Sequence, residues 1–290
     1  MLNPIEPLLI KRVAELQRWS DAARSLGRRI ALVPTMGALH EGHLSLVRVG
    51  YRHADRVVVS IFVNPTQFGP AEDFARYPRD LGRDVEQLRK VGADVVFAPP
   101  VEEIYPNGDA TWVDVERLTS GLCGRSRPGH FRGVTTVVAR LFNAARPHLA
   151  VFGEKDYQQL AVIRRMSRDL AFGVDVVGAA IVREPDGLAM SSRNVFLSAR
   201  ARQQATALHA ALHEARALVR AGVRDAAALC HEARARIEKE PLAEIDYVEL
   251  VDAETLEPLR EIGGPAVLAL AVRFEGTRLI DNTLFEAETL

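Results

Sequence analysis

Short apolar runs alternate with amphipathic stretches along most of the chain. Residues 29–33 (RIALV), 57–63 (VVVSIFV), 94–98 (DVVFA), 148–152 (HLAVF) and 175–182 (DVVGAAIV) read as buried strands. Between them, 16–26, about 42–55, the stretch carrying Asp80, Asp84, Gln87 and Leu88, 133–146 and 157–170 repeat apolar residues at helical spacing. Strands alternating with helices at this rhythm predict a parallel, doubly wound sheet. The texture changes after about Val182. Two helices, 197–221 and 225–239, are followed by short strands at 247–251, 266–274 and 277–280.

The expected fold class is therefore α/β. A Rossmann-like doubly wound parallel sheet covers 1–184, and a smaller C-terminal α+β lid domain covers 185–290. Sheets of this kind bind ligands outside the carboxyl ends of their strands. Four polar clusters sit at such ends: 34–43, 64–69, 153–156 and 183–194. Alternation alone does not require that coincidence, so it marks a site.

Composition narrows the function classes. The chain has 290 residues, of which 48% are apolar, enough for a substantial core. Its 37 basic and 38 acidic residues nearly cancel, which argues against a nucleic-acid or polybasic membrane surface. Two cysteines, Cys123 and Cys230, lie far apart and match neither a disulfide framework nor zinc spacing. They read as ordinary thiols of a reducing cytoplasm. No run reaches the length of a membrane helix, and the N-terminal MLNPIEPLLIKR lacks the pattern of a signal peptide.

The first cluster joins a strand to a helix through Pro34, Thr35 and Gly37, with His40 and His43 at the helix start. Free backbone N–H groups and the helix dipole make such a junction an anion site. Two imidazoles add donors for developing negative charge. Their spacing of three is not the four of a zinc-protease pair, and no GxxxxGK[ST] or GxGxxG string occurs. Taken alone, the pair reads equally as two polar residues capping a turn.

The other clusters also have plain readings. Gly153-Glu154-Lys155-Asp156 is either a charged surface turn or a lysine for phosphate beside a carboxylate for Mg2+. Met190-Ser191-Ser192-Arg193-Asn194 is either a polar loop or a set of triphosphate donors, made mobile by Pro185-Asp186-Gly187. Gln67 and Gln159 are neutral amides suited to hydroxyl or carboxylate oxygens. Arg125, Arg127, His130 and Arg132 form either a solvated cluster or a second anion contact.

Long strings in these regions resemble the pantothenate synthetase (pantoate–β-alanine ligase) family. They are VPTMGALHEGHLSLV, SIFVNPTQFGPAEDFARYPRD, CGRSRPGHFRGVTTVV, VFGEKDYQQL, DGLAMSSRN and GTRLIDN, spanning about 30–282. That family belongs with the HIGH-motif nucleotidyltransferases. His40-Glu41-Gly42-His43 stands as the HIGH-like element and Met190–Arg193 as the KMSKS-like loop.

The resemblance implies ATP-dependent condensation of pantoate with β-alanine. Pantoate attacks the α-phosphate of ATP, releasing pyrophosphate, and β-alanine then displaces AMP from the pantoyl adenylate. It implies an ATP site lined by Met36, Gly37, Ala38 and Leu39, with Glu41 and Gly42. His43 is the proton donor and His40 a phosphate contact. Gly153, Glu154, Lys155, Asp156 and Val182 join the ATP set, as do Met190, Ser191, Ser192 and Arg193, with Lys155 on phosphates. Gln67, Gln159, Tyr77 and His130 are implied substrate contacts, and Asp156 and Asp84 metal positions for Mg2+. Leu81, Gly82 and Arg83 replace acids frequent in the family beside Asp84. A cytoplasmic homodimer is implied, with no nucleic-acid or membrane partner. Two other readings of the residues stand beside this one: a nucleotidyltransferase acting on a different acid, and a non-catalytic nucleotide sensor.

Overall fold

A computed structural model describes residues 6–70 and 72–286. The first five residues of the stretch weighed as a leader lie outside that range. The described residues form two compact units. The first takes in those up to Val115, with Arg127–Glu154 and Val162–Ala180. The second takes in Glu116–Ser126, Lys155–Ala161 and those from Ile181 onward.

The chain runs β1 (Leu8–Ile10), α1 (Val13–Ser25), β2 (Ile30–Thr35), α2 (Glu41–His53), β3 (Arg56–Ile61), α3 (Leu81–Lys90), β4 (Val95–Phe97) and α4 (Val101–Ile104). Then come α5 (Leu122–Ser126), α6 (His130–Ala145), β5 (Leu149–Gly153), α7 (Tyr157–Asp169) and β6 (Asp175–Ala179). The last part is α8 (Ala199–Gln204), α9 (Ala207–Arg220), α10 (Ala226–Ile237), β7 (Ala243–Asp252), β8 (Ala266–Phe274) and β9 (Thr277–Phe285).

The first unit is built on six parallel strands in the order β1-β4-β3-β2-β5-β6. The winding direction reverses between β2 and β5, the place where such sheets bind ligands. Val33, Val47, Val57, Val59 and Val151 are fully buried in one of its cores. β-Branched side chains suit a strand covered on both faces.

Two boundaries differ from the sequence expectation for visible reasons. β2 continues through Pro34 and Thr35, which pair with Ser60 and Ile61. The Thr35 carbonyl accepts from Phe62 N, so Thr35 turns its polar groups toward β3 and Pro34 turns away. On that other side β5 pairs only with Ala31 and Leu32, so the missing proline N–H breaks no ladder. The helix expected over 197–221 is two helices, because the Thr206 hydroxyl donates to Gln203 O at 2.7 Å and competes with the backbone there. β1 has no periodic signature, with Leu8 and Leu9 exposed and only Ile10 buried, and is defined by pairing with β4.

The second unit holds the antiparallel sheet β7-β8-β9 and the helices α8, α9 and α10. Leu208, Leu212, Leu229, Leu268, Leu270 and Phe274 are in its core. β8 and β9 are joined by Glu275 and Gly276, with φ of 50° and 82°. Both central residues in the left-handed region make the two-residue hairpin whose twist matches the strands. Among the described residues no helix is long and apolar enough to cross a membrane.

Candidate active site

In the first unit the junction after β2 is held by side chains from neighbouring strands and helices. The Thr35 hydroxyl donates to Ser60 O at 2.7 Å and accepts from Gly37 N at 3.2 Å. Gly37 and Ala38 then take φ of 81° and 51°. A Cβ on Gly37 would lie 2.8 Å from Asp84 Oδ2, so glycine is required by φ and by space. The Ala38 and Leu39 amides donate to Asp84 Oδ2 and Oδ1 at 2.9 and 2.8 Å.

Asp84 is only 2% exposed. Burial raises its pKa, against the pull of those two amides and of Arg83. The carboxylate expected to ligate a metal is thus buried and shared between two amides of the turn. Among the described residues no three His, Cys, Asp or Glu gather as a metal group.

His40 and His43 cap α2 reciprocally. His40 Nδ1 accepts from Gly42 N at 3.1 Å, and His43 Nδ1 accepts from His40 N at 3.3 Å. The ring centroids are 4.1 Å apart. An Nδ1 that accepts carries no proton, so each neutral ring has its N–H at Nε2. The capping reading holds for both Nδ1 atoms, and it places the ring N–H of each histidine on the opposite nitrogen. Glu41 pairs with Arg48 on the exposed side of α2.

Gln67 lies in the 3-10 turn Pro65–Gln67 that follows β3. Its Nε2 lies 2.9 Å from Met36 Sδ, and its Oε1 accepts from Asn64 Nδ2 at 3.1 Å. Asn64 also donates to Gly133 O and accepts from the Tyr105 hydroxyl. A Cβ on Gly133 would lie 2.4 Å from Thr66 O, so only glycine lets α6 come this close.

The backbone of Gln67 is gripped as well. Arg127 only donates, so His130 Nε2 accepts from it at 2.9 Å and His130 Nδ1–H donates to Gln67 O at 2.8 Å. Arg127 in turn holds Glu72 through two bonds of 2.7 and 2.6 Å. His130, expected as a substrate contact, is here a support for Gln67. Tyr77 is 6% exposed and packs edge-on to Phe68.

The basic cluster is divided rather than pooled. Arg125 pairs with Glu249, Arg127 with Glu72, and Arg132 lies over the Trp112 ring.

Burial works to raise the Glu72 pKa, but the Arg127 hydrogen bond and charge outweigh it and leave the pKa lowered. A lowered acid stabilises the fold above its unfolded pKa, and that contribution is lost as pH falls through the folded value. The melting midpoint of Glu72→Gln should therefore lie below the wild type at neutral pH. The gap should close below about pH 4, where carboxylates protonate. A gap that widens in acid contradicts this assignment.

In the second unit Lys155 follows directly on the end of β5 and its neighbour Glu154. Lys155 Nζ lies 3.8 Å from Asp156 Oδ2, whose side chain is 48% exposed. Gln159 is half-buried in the first turn of α7. Its neighbour Gln158, which periodicity did not single out, bonds Cys123 N, Leu118 O and Gly121 O.

Val182 and Met190 are brought together, since Met190 N donates to Val182 O at 3.0 Å. Arg183 and Ala189 bridge in the next rung, and Pro185-Asp186-Gly187 forms the turn. The Asp186 carboxylate is held by Arg202 and by Leu188 N. The Pro185-Asp186-Gly187 turn that precedes the Met190–Asn194 loop is thus a tied hairpin. Ser191 caps the 3-10 turn Ser192–Phe196, its Oγ accepting from Arg193 N at 3.2 Å.

The description "Pantoate-beta-alanine ligase" names a protein family that matches residues 8–284. A pantothenate synthetase of Heliobacterium modesticaldum is 58% identical over 96% of this chain and 99% of its own. Another from Anaeromyxobacter dehalogenans is 58% identical over 95% and 98%. A crystal structure of pantothenate synthetase from Thermus thermophilus superposes with a TM-score of 0.90 at 48% identity, covering 95% of this chain and 98% of that one. A pantoate-beta-alanine ligase from Francisella tularensis, complexed with beta-gamma ATP and beta-alanine, gives 0.77 at 30% identity over 96% and 97%.

Proposed function

Since this chain belongs to the pantoate–β-alanine ligase family and makes pantothenate from pantoate, β-alanine and ATP, we propose that it does so in two steps through a pantoyl adenylate. A pantoate carboxylate oxygen attacks the α-phosphorus of ATP, and the bond to the pyrophosphate oxygen breaks. The β-alanine amine then attacks the acyl carbon, and AMP leaves with the bonding pair while the amine loses its proton.

The observation that carries this reading is the double histidine cap at the start of α2. It fixes two Nε2–H donors beside the helix N-terminus, with no reorganisation needed as charge develops on the phosphates. His43 is assigned the donor to the reacting phosphate and His40 a second phosphate contact. Met36–Leu39 line the nucleotide, and Gln67 orients pantoate beside them, with Gln159 as a further amide. Lys155, Ser191, Ser192 and Arg193 serve the triphosphate, together with the backbone of Gly153, Glu154, Val182 and Met190.

Mg2+ fits this donor set at Asp156. The ion takes one or two carboxylates and completes its shell with water and substrate phosphates, and the Asp156 carboxylate is half-exposed. Its chemistry is to neutralise the polyphosphate. Asp84 does not fit, because its oxygens are committed to the turn. A homodimer and a cytoplasmic setting complete the proposal.

Exchange of labelled pyrophosphate into ATP tests it. Exchange should require pantoate and Mg2+ and proceed without β-alanine. Exchange that needs β-alanine would rule out a free-standing adenylation step.

A further inference from the structure

The string GTRLIDN near the C-terminal end has no place in the site described so far, yet its last two residues are buried and polar. Asp281 is 2% exposed and Asn282 6%. Both lie on β9, an edge strand of the antiparallel sheet. The two-residue hairpin sets their register, Asp281 opposite Leu270 and Asn282 opposite Ala269. Successive strand residues point to opposite faces, so the two side chains serve different neighbours. A one-residue slip would exchange them.

On one face Asp281 takes a two-pronged bond from Arg183, at 2.6 and 2.9 Å. The Asp281 side chain is 1% exposed and that of Arg183 22%. Such a fork fixes direction as well as distance. Arg183 also donates to Gly187 O at 3.0 Å, closing the hairpin that leads into Met190–Arg193. On the other face Asn282 Nδ2 donates to Lys155 O at 2.9 Å. Neither Asp281 nor Asn282 was assigned any role above.

We infer that Asp281 and Asn282 are positioning residues, by which one strand holds both the Lys155 turn and the Arg183–Ala189 hairpin in the arrangement that adenylation uses. The inference rests on the reading that Lys155 and the residues after Met190 act on ATP phosphates. It gives the smaller unit a definite part in the chemistry. A strand that ties both segments keeps two phosphate-binding pieces in fixed relation, which lowers the entropic part of the barrier.

The test is pyrophosphate exchange by Asn282→Ala, Lys155→Ala and the double variant, with melting midpoints as a check on folding. Asn282→Ala should raise the KM for ATP about tenfold, the effect of one lost buried hydrogen bond. The KM for pantoate should stay as in the wild type. Aminolysis of preformed pantoyl adenylate should be unchanged, an outcome that general unfolding would not produce. In the Lys155→Ala background the Asn282 substitution should add little, since the two act as a unit. Asn282→Asp keeps the shape without the donor and gives the same result if the alanine variant does not fold. Arg183→Lys, which keeps the charge but loses the fork, should also raise the KM for ATP alone.

An unchanged KM for ATP in Asn282→Ala, or full additivity with Lys155→Ala, overturns the inference while leaving the role of Lys155 intact. An unchanged KM for ATP in Lys155→Ala instead removes the phosphate role of Lys155, and the inference with it.

Discussion

Replacing His43 with asparagine should lower pantoyl-adenylate formation about 10²–10³-fold while leaving the melting midpoint close to wild type. The reason lies in the two nitrogens of the ring. His43 Nδ1 accepts from His40 N at 3.3 Å and belongs to the helix cap. The asparagine oxygen occupies nearly the place of Nδ1 and preserves that cap, but nothing replaces Nε2–H. Alanine is the complementary change, since it removes both the capping acceptor and Nε2–H; glutamine is not, because at N3 its oxygen accepts from the N-cap N–H as in a capping box. His43→Ala should therefore lose adenylation rate and stability together. The lost hydrogen bond from His40 N costs about 0.5–1.5 kcal/mol. Pyrophosphate exchange and thermal melting on the two variants separate the roles. Unchanged exchange in His43→Asn would show that the ring acts only as a cap.

The second large effect is expected at Asp84. Asp84→Ala leaves the Ala38 and Leu39 amides without their acceptor in a buried turn. Each orphaned buried group costs about 1–3 kcal/mol. The melting midpoint should fall by several degrees. Adenylation should fall too, because these amides lead directly into the His40 cap. Asp84→Asn should be nearly as damaging, since its NH2 would face a backbone N–H. Raising Mg2+ should restore neither variant. Rescue by Mg2+ would return Asp84 to the metal site and overturn the structural assignment.

The two effects bear on how the site was read from its residues. His40 and His43 were visible as a pair at a helix start, and the open question was cap or donor. The sequence could not divide those roles between nitrogens, because the division depends on backbone direction after a left-handed turn. Asp84 lies on α3, and only the family resemblance implied a metal position for it. What it bonds is 45 and 46 residues away, so no local pattern reports it. His130 was placed with the substrates, but Arg127 and Gln67 O fix both of its nitrogens from opposite sides. Asn64, Glu72, Tyr105 and Gly133 were not singled out, although together they shape the Gln67 turn. Gly133 had one signal, a glycine at the start of an otherwise apolar helix.

By itself the sequence determined the alternation of strands and helices, and with it the parallel sheet. It also determined the polar clusters at strand ends, the balance of charge and the family. These are properties of short runs, where side-chain periodicity and strings of adjacent residues carry the information. Family membership also removes the nucleotide-sensor reading and the reading with a different acid. Only the tertiary structure decided the partners. It set the edge strand β1, the acceptor for the Ala38 and Leu39 amides, the tautomers of three histidines, and the grip of Asp281 and Asn282 on Arg183 and Lys155. These contacts join residues far apart in the chain, up to 127 positions. Their geometry follows from strand register and close packing, which no local pattern contains.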